Sequence, residues 1–171
     1  MNAPTLETER LLLRAHKRED FPALFELWSD PRTVGLMGMQ PMSEEDCWAK
    51  FLRSFGSWQV NGFGFWAIEE KESGRFVGEA GFLNARRNME PKLPVPEMGW
   101  ALSPSVHGRG YASEAVAAAL PWGEKHFGRV RISAIIAPEN EPSLKLARKF
   151  GFVEAVRTTY KEHPTIVLYR D

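Results

Sequence analysis

The sequence predicts an α/β protein of the α+β kind, in which about 6–7 strands form a mixed, mainly antiparallel twisted sheet flanked by about four helices. Two adjacent segments carry much of this prediction. Residues 95–103 alternate between small or polar and large apolar side chains, a period of two typical of a strand with one buried face. Residues 112–123 repeat apolar side chains at three- and four-residue spacing, as one side of a helix does.

A third segment turns this pair into a recognisable unit. Residues 130–137 are rich in β-branched side chains and are bounded by Gly128 and Pro138, which predicts a second strand. Strand, helix and strand in this order form a right-handed βαβ unit, whose ligand lies at the carboxyl end of the first strand.

The other elements follow from the same two periodicities. In chain order we expect a strand at 7–14, helices at 19–29 and about 44–60, a hairpin of 63–70 and 75–83, a loop at 84–94, a short helix ending at Phe150, and a hairpin of 152–159 and 165–170.

Single residues mark several of the expected helix boundaries. Ser43, three residues before Asp46, resembles a capping box, and Gly151 is placed as a C-terminal stop. Pro121 removes the N–H that would bond to the carbonyl of Ala117, which predicts a kink or break at 118–121.

Composition excludes several classes of protein. The 171 residues are 43% hydrophobic, enough for the full core of one domain spanning residues 1–171. The 22 basic and 22 acidic residues cancel, which argues against an electrostatic nucleic-acid binder. Arg86, Arg87 and Lys92 form either a local basic patch or a solvated loop.

Targeting and metal signals are also missing from the sequence. Cys47 is the only cysteine, so we expect a packed thiol, no internal disulfide and no metal site. Without a charged leader or a long apolar run, we expect a soluble cytoplasmic protein with no membrane partner.

The segment His107–Ala115 predicts a phosphate-binding loop between the strand and the helix. Gly108 and Gly110 let backbone N–H groups approach an anion, and the first turn of the helix adds unpaired N–H groups and its dipole. Arg109 offers a charge-assisted contact to the same anion.

Two kinds of nucleotide site fit this loop poorly. The chain has no G-x-x-x-x-G-K-[ST] string, which excludes a Walker loop. The dinucleotide fingerprint is only half matched by Gly108, Gly110 and Ser113, and the first acid after the second strand, Glu139, comes too late. A nicotinamide-binding oxidoreductase therefore remains a weaker alternative.

Three separated motifs resemble the GNAT superfamily of N-acetyltransferases. They are Glu97-Met98-Gly99-Trp100, the run from Gly108 to Ala115, and Asn140-x-x-Ser143-x-x-Leu146-x-x-Lys149-x-Gly151-Phe152. With Thr8–Arg14 and Ser29-Asp30-Pro31, the likeness covers nearly the whole chain and is greatest to the ribosomal-protein-alanine N-acetyltransferase branch. His107 stands where the family usually has Gln or Arg.

The resemblance implies a GNAT-like fold that binds acetyl-CoA and an amine acceptor, as a monomer or homodimer. The strand backbone would hold the pantetheine arm, the glycine loop would hold the pyrophosphate, and the short helix would also contact the arm. The cofactor-binding residues implied are Trp100, Ala101, Leu102, His107, Gly108, Arg109, Gly110, Tyr111, Ala112, Ser113, Asn140 and Ser143. Tyr111 is expected to pack rather than titrate.

Acetyl transfer also requires groups that exchange protons. Glu97 is the candidate base because it lies on the strand near the expected thioester, and Glu79 on the preceding strand is the alternative. Many family members carry a tyrosine acid four residues after the Ser143 position, where this chain has Ala147. Ser143 is the substitute acid, unless the thiolate leaves unaided.

The resemblance leaves the acceptor open between a protein N-terminus and a small-molecule amine. Because the tyrosine acid is missing, a second alternative to an active enzyme also stays open, namely a catalytically silent acyl-CoA-binding protein.

Overall fold

One eight-stranded sheet organises the computed structural model, which describes residues 2–171. The strands are β1 (Leu6–Glu7), β2 (Leu11–Arg14), β3 (Phe65–Glu70), β4 (Arg75–Leu83), β5 (Glu97–Leu102), β6 (Ile132–Ile136), β7 (Val153–Tyr160) and β8 (His163–Arg170). The helices are α1 (Phe21–Ser29), α2 (Pro31–Val34), α3 (Glu44–Asn61), α4 (Tyr111–Phe127) and α5 (Glu141–Lys149).

The sheet is mixed and mainly antiparallel, as predicted. Its strand order is β1-β2-β3-β4-β5-β6-β8-β7, and only the β5–β6 pair is parallel. Strand and helix counts are slightly higher than expected because the predicted first strand is divided and α2 adds a short helix. The β5–α4–β6 unit is confirmed.

The predicted strand at 7–14 is wrong as a single strand. Residues 8–10 form a tight turn, and Leu6 pairs with Leu13 across it. The Thr8 hydroxyl accepts from the Leu11 amide at 2.9 Å, and the Arg10 amide donates to the Glu114 carboxylate at 2.8 Å. Since Glu114 lies about a hundred residues away, periodicity in the local sequence could not reveal this turn.

Of the kink or break predicted at 118–121, the break is wrong, because α4 continues to Phe127. Pro121 is exposed, so the carbonyl that loses its partner lies on the solvent side of the helix. Trp122 fixes the following turn by packing against Trp58 and Trp66, at ring-centroid distances of 5.6 and 5.0 Å. Tertiary packing thus outweighs the local cost of the proline.

Several predicted boundaries are confirmed. Ser43 accepts from the Asp46 amide at the start of α3, and Gly151 has a φ of +84° just after α5. Residues 71–74 connect β3 to β4, and Lys161 and Glu162, both with positive φ, connect β7 to β8.

Strand β5 is buried on both faces, whereas the sequence predicted one buried face. Met98 and Leu102 pack in the cluster that contains α4, and Ala101 packs with residues of α1 and α3 on the opposite side. The polar side chain of Glu97 is also buried, which the alternation of polar and apolar residues had placed outside. The predicted site is therefore built on a central strand.

Candidate active site

The glycine loop has the backbone conformation that an anion site requires. Gly108 and Gly110 both have a φ of +79°, in the left-handed region. The bond from the Glu114 amide to the Gly110 carbonyl, at 3.1 Å, opens helix α4. The amides of the first turn, from Tyr111 onward, precede that bond and remain available to a ligand.

The loop is open on the side where a ligand approaches. A Cβ built on Gly108 meets no heavy atom within 4 Å, and residues 107–110 are all exposed. Protein packing therefore does not explain why glycine occupies this position.

A network of side chains fixes the position of the loop. Arg10 donates from its guanidinium to the Arg109 carbonyl at 2.8 Å and to the Glu114 carboxylate at 2.7 Å. Glu114 also accepts from the Thr8 hydroxyl at 2.6 Å. The Nε2 atom of His107 lies 2.9 Å from the Leu102 carbonyl oxygen, a contact that connects the loop to the end of β5. Sequence reasoning missed Arg10 because its contacts are long-range.

The structure directs Arg109 towards a carboxylate. Its guanidinium lies 2.7 Å from Glu70 and 4.6 Å from the centre of the Tyr111 ring. The buried Tyr111 hydroxyl donates to Glu70 at 2.5 Å, a hydrogen bond that raises the pKa of the tyrosine. Tyr111 packs as expected, and Glu70 competes with any anion for Arg109.

A lysine that the sequence did not single out as a ligand lies at the same helix start. Lys149, at the end of α5, donates to the Ser113 hydroxyl at 2.5 Å. Its ammonium therefore lies beside the first turn of α4, where the helix dipole already favours an anion. Nothing in the spacing of Lys149 and Ser113 indicates this contact, which depends on how α5 docks.

Strands β5 and β6 are in register only at Glu97 and Ser133. Beyond this pair, a side-chain hydrogen bond crosses from β5 to α5, from the Trp100 indole to the Ser143 hydroxyl at 3.2 Å. Asn140 caps α5 by accepting from the Ser143 amide at 3.2 Å. Three of the predicted site residues, Trp100, Asn140 and Ser143, thus meet in one place.

Glu97 lies at the start of β5, with 5% of its surface exposed. Arg87 binds both of its carboxylate oxygens, at 2.8 and 2.7 Å, in a bidentate ion pair. A cleft of about 310 Å³ adjoins the pair, lined by residues 83–87, 92–95 and Glu97. Arg87 was considered in the sequence only as part of a basic patch.

The alternative base, Glu79, is entirely buried within a polar cluster. Its carboxylate accepts from the Trp28 indole at 3.0 Å and the Lys50 ammonium, and lies 3.2 Å from His16. Burial by itself raises the pKa of Glu79. Lys50 and His16 lower the pKa by more than burial raises it, so the pKa falls to about 2. These partners occupy the carboxylate, which is not among the groups that line the cleft beside Glu97.

Cys47 is buried in the α1–α3 cluster, and burial raises the pKa of its thiol to about 11. The expectation of a packed thiol is confirmed.

Within residues 2–171, no three His, Cys, Asp or Glu side chains are grouped so as to hold a metal ion. None of the helices in that part of the chain has the length and hydrophobicity needed to cross a membrane.

Comparisons with known proteins agree with the resemblance seen in the motifs. The family model for the acetyltransferase (GNAT) domain matches residues 10–153. The uncharacterized N-acetyltransferase p20 of Bacillus licheniformis is 31% identical over 149 residues, which cover 86% of this chain and 82% of that protein.

Solved structures of related proteins share the whole fold. A structure from Bordetella pertussis, described as a GNAT-family acetyltransferase, matches with a TM-score of 0.85 and 31% identity over 99% of this chain and 100% of that chain. Ribosomal-protein-S5-alanine acetyltransferase from Vibrio fischeri matches with a TM-score of 0.76 and 20% identity, covering 98% and 96% of the two chains.

Spermidine N-acetyltransferase from Vibrio cholerae, solved in complex with CoA and spermine, matches with a TM-score of 0.73 and 18% identity over 95% of each chain. At such low identities, the likeness to the two Vibrio enzymes shows the fold alone.

Proposed function

Because the chain belongs to the GNAT acetyltransferase family, whose members transfer an acyl group from acetyl-CoA to an amine, we propose that it acetylates a primary amine by direct attack in a ternary complex. The observation that carries the proposal is the open glycine loop at the start of α4, beside the point where β5 and β6 part. We propose that residues 1–171 act as one N-acetyltransferase domain, since a single sheet extends from β1 to β8.

The residues around the loop fit a coenzyme A pyrophosphate. The left-handed glycines and the first turn of α4 present backbone donors, and Lys149 adds a cation. We assign the pyrophosphate to residues 107–113, and the pantetheine arm to the backbone of 100–102 with Asn140 and Ser143. Arg109 would have to leave Glu70 before it could bind the anion directly.

Glu97 and Ser143 are the proposed base and acid, and Glu97 would have to loosen its ion pair with Arg87 before it could accept a proton. Side chains alternate along a strand, so Glu97 shares a face of the sheet with Ala101, whereas Trp100 and its partner Ser143 lie on the other face. This arrangement lets the amine approach β5 from one face while the thiolate leaves towards the other.

The hydrogen bond to Trp100 supports the assignment of Ser143 as the acid. An indole N–H can only donate, so the Ser143 oxygen accepts there and keeps its own proton for another acceptor. Glu97, directly or through water, removes a proton from the amine, whose nitrogen forms a bond to the thioester carbon. As the carbon–sulfur bond breaks, Ser143 gives its proton to the sulfur and takes one back from water, and the proton held by Glu97 returns to the solvent.

The oxidoreductase alternative loses its basis with the family assignment. A silent acyl-CoA-binding protein would share the same loop, so turnover is what separates it from an enzyme. The proton left free on Ser143 favours the enzyme.

The first test measures melting temperature with acetyl-CoA, CoA and NADH added separately. At 100 times its dissociation constant, a ligand adds about 2.7 kcal/mol, a rise of roughly 5–10 °C for a domain of this size. A rise with both CoA species, followed by thiol release with amines, is the expected result. A rise with NADH alone, or with none of the three, would contradict the proposal.

Two variants then separate binding from chemistry. Glu97→Gln should lower turnover at neutral pH while acetyl-CoA affinity stays nearly intact, whereas Ser143→Ala should lower turnover and also weaken acetyl-CoA binding, because Ser143 is assigned to the pantetheine arm as well. Binding without turnover in the wild type, across a broad panel of amines, would identify a silent binding protein instead. Full turnover in either variant would remove that residue from the mechanism.

A further inference from the structure

The cleft beside Glu97 has the size of a small-molecule site. Its volume of about 310 Å³ lies at the lower end of the range for ligand pockets. The cleft is formed by the β4–β5 connection and by Glu97 itself. A molecule in it would therefore contact the residue proposed as the base.

The lining of the cleft is cationic. Arg86, Arg87 and Lys92 line it together with a single carboxylate, Glu97. Arg87 forms an ion pair with Glu97, so Arg86 and Lys92 are the two cations that remain. No carboxylate in residues 2–171 pairs with Arg86, and Lys92 meets only Glu90, at 3.8 Å between two exposed side chains.

The backbone holds Arg86 in an unusual conformation. Its φ is +44°, a backbone angle that residues other than glycine rarely adopt and that costs free energy. The strain places an exposed, unpaired guanidinium at the edge of the cleft.

The connection that forms the cleft is anchored at two points in its second half. The Ser133 hydroxyl donates to the Pro94 carbonyl at 3.0 Å, and the Thr158 hydroxyl donates to the Glu90 carbonyl at 2.9 Å. Met89, just before the anchored segment, is buried. The cleft is therefore formed before any ligand arrives, which reduces the entropic cost of binding.

We propose that the acceptor is a small amine that also carries a carboxylate. Arg86 and Lys92 bind the carboxylate, while the amine lies towards Glu97 and the start of β5. This inference deepens the proposed function and rests on it for the acetylation step. A cleft of this volume, lined by the unpaired Arg86 and by Lys92 with only a 3.8 Å contact to the exposed Glu90, favours an amino acid or a similarly small amino acid derivative over a polyamine, which like charges would repel.

The test compares pairs of acceptors in which a neutral amide replaces the carboxylate, and it relies on the longer ω-amino acids, whose distant amine keeps nearly the same pKa in both members of a pair. Amino acids and ω-amino acids of increasing length are each paired with the corresponding primary amide, and acetylation is followed by thiol release. We expect the acids to have a kcat/KM about tenfold above that of their amides. The difference should arise from KM, and added salt should reduce it.

Two double variants carry the charge test. Arg86→Gln with Lys92→Gln should remove the preference for acids and leave the amides unaffected. Arg53→Gln with Arg75→Gln is the matched control, since it removes two exposed cations that form no ion pair among residues 2–171. The control should keep the preference.

Calorimetry provides a readout that does not require turnover. Each acid and its amide are titrated into the protein saturated with CoA. Acids that bind more tightly than amides but are never acetylated would show an anion site that does not serve the acceptor, which overturns this inference. Absence of turnover with every amine, including peptides with a free N-terminus, would instead overturn the proposed function. Acetylation of amides as efficient as that of acids, or no tighter binding of acids, would overturn this inference while leaving the proposed function intact.

Discussion

Replacing Glu79 by glutamine should destabilise the protein strongly and in a pH-dependent way. The carboxylate is entirely buried and is satisfied by Trp28, His16 and the Lys50 ammonium. Glu79→Gln leaves Lys50 without its counter-ion in a largely buried position. Removing one partner of a buried ion pair costs about 3–5 kcal/mol, so we expect a loss of that size at pH 7.

The lowered pKa of Glu79 sets the pH range of this loss. A carboxylate whose pKa falls from 4.5 unfolded to about 2 folded stabilises the protein above the unfolded value. That stabilisation, about 3 kcal/mol in full, disappears as the pH falls through the folded pKa. Between pH 7 and pH 3, the free-energy difference between wild type and Glu79→Gln should shrink by about 2 kcal/mol.

Urea unfolding of both proteins at several pH values between 7 and 3 measures this difference. Glu72→Gln, an exposed glutamate in the β3–β4 turn, is the control and should match the wild type at each pH. A difference that stays constant down to pH 3 would refute the reasoning, since Glu79 would then contribute no titrating ion pair.

Two further substitutions test the glycine loop and its support. Gly108→Ala should weaken acetyl-CoA binding about tenfold in calorimetry, whereas Gly74→Ala, with similar positive-φ strain and open space in the β3–β4 turn, should only lower the melting temperature. Equal affinities in the two variants would disprove a ligand role for Gly108. Arg10→Met should raise the KM for acetyl-CoA several-fold at unchanged kcat, because Arg10 bonds both the Arg109 carbonyl and Glu114. An unchanged KM would show that the loop keeps its position without Arg10.

Local sequence was sufficient wherever neighbouring residues supply the interaction. The cap formed by Ser43 with Asp46, the stop at Gly151 and the Asn140 cap of α5 all lie within a few residues of the groups that they satisfy. The glycine loop belongs to the same class, because a positive φ at Gly108 and Gly110 is a local property of glycine.

Local sequence was insufficient wherever a distant group outweighed it. Pro121 loses a helical hydrogen bond, but packing around Trp122 keeps α4 continuous. The strand predicted at 7–14 is divided at residues 8–10, where Glu114 binds Thr8 and Arg10 across about a hundred residues. In each case the local preference is worth less than the tertiary contacts that oppose it.

The chemistry of the carboxylates shows the same division. Alternation along β5 identified Glu97 as a polar residue on a strand, and the order of motifs indicated the family and its acyl donor. That Arg87 holds Glu97, that Glu79 is enclosed, and that Lys149 reaches the start of α4 depend on contacts between residues far apart in the chain. Periodicity and spacing report backbone geometry, which is local, whereas ion pairing and burial depend on how the helices and strands pack, which only the folded chain shows.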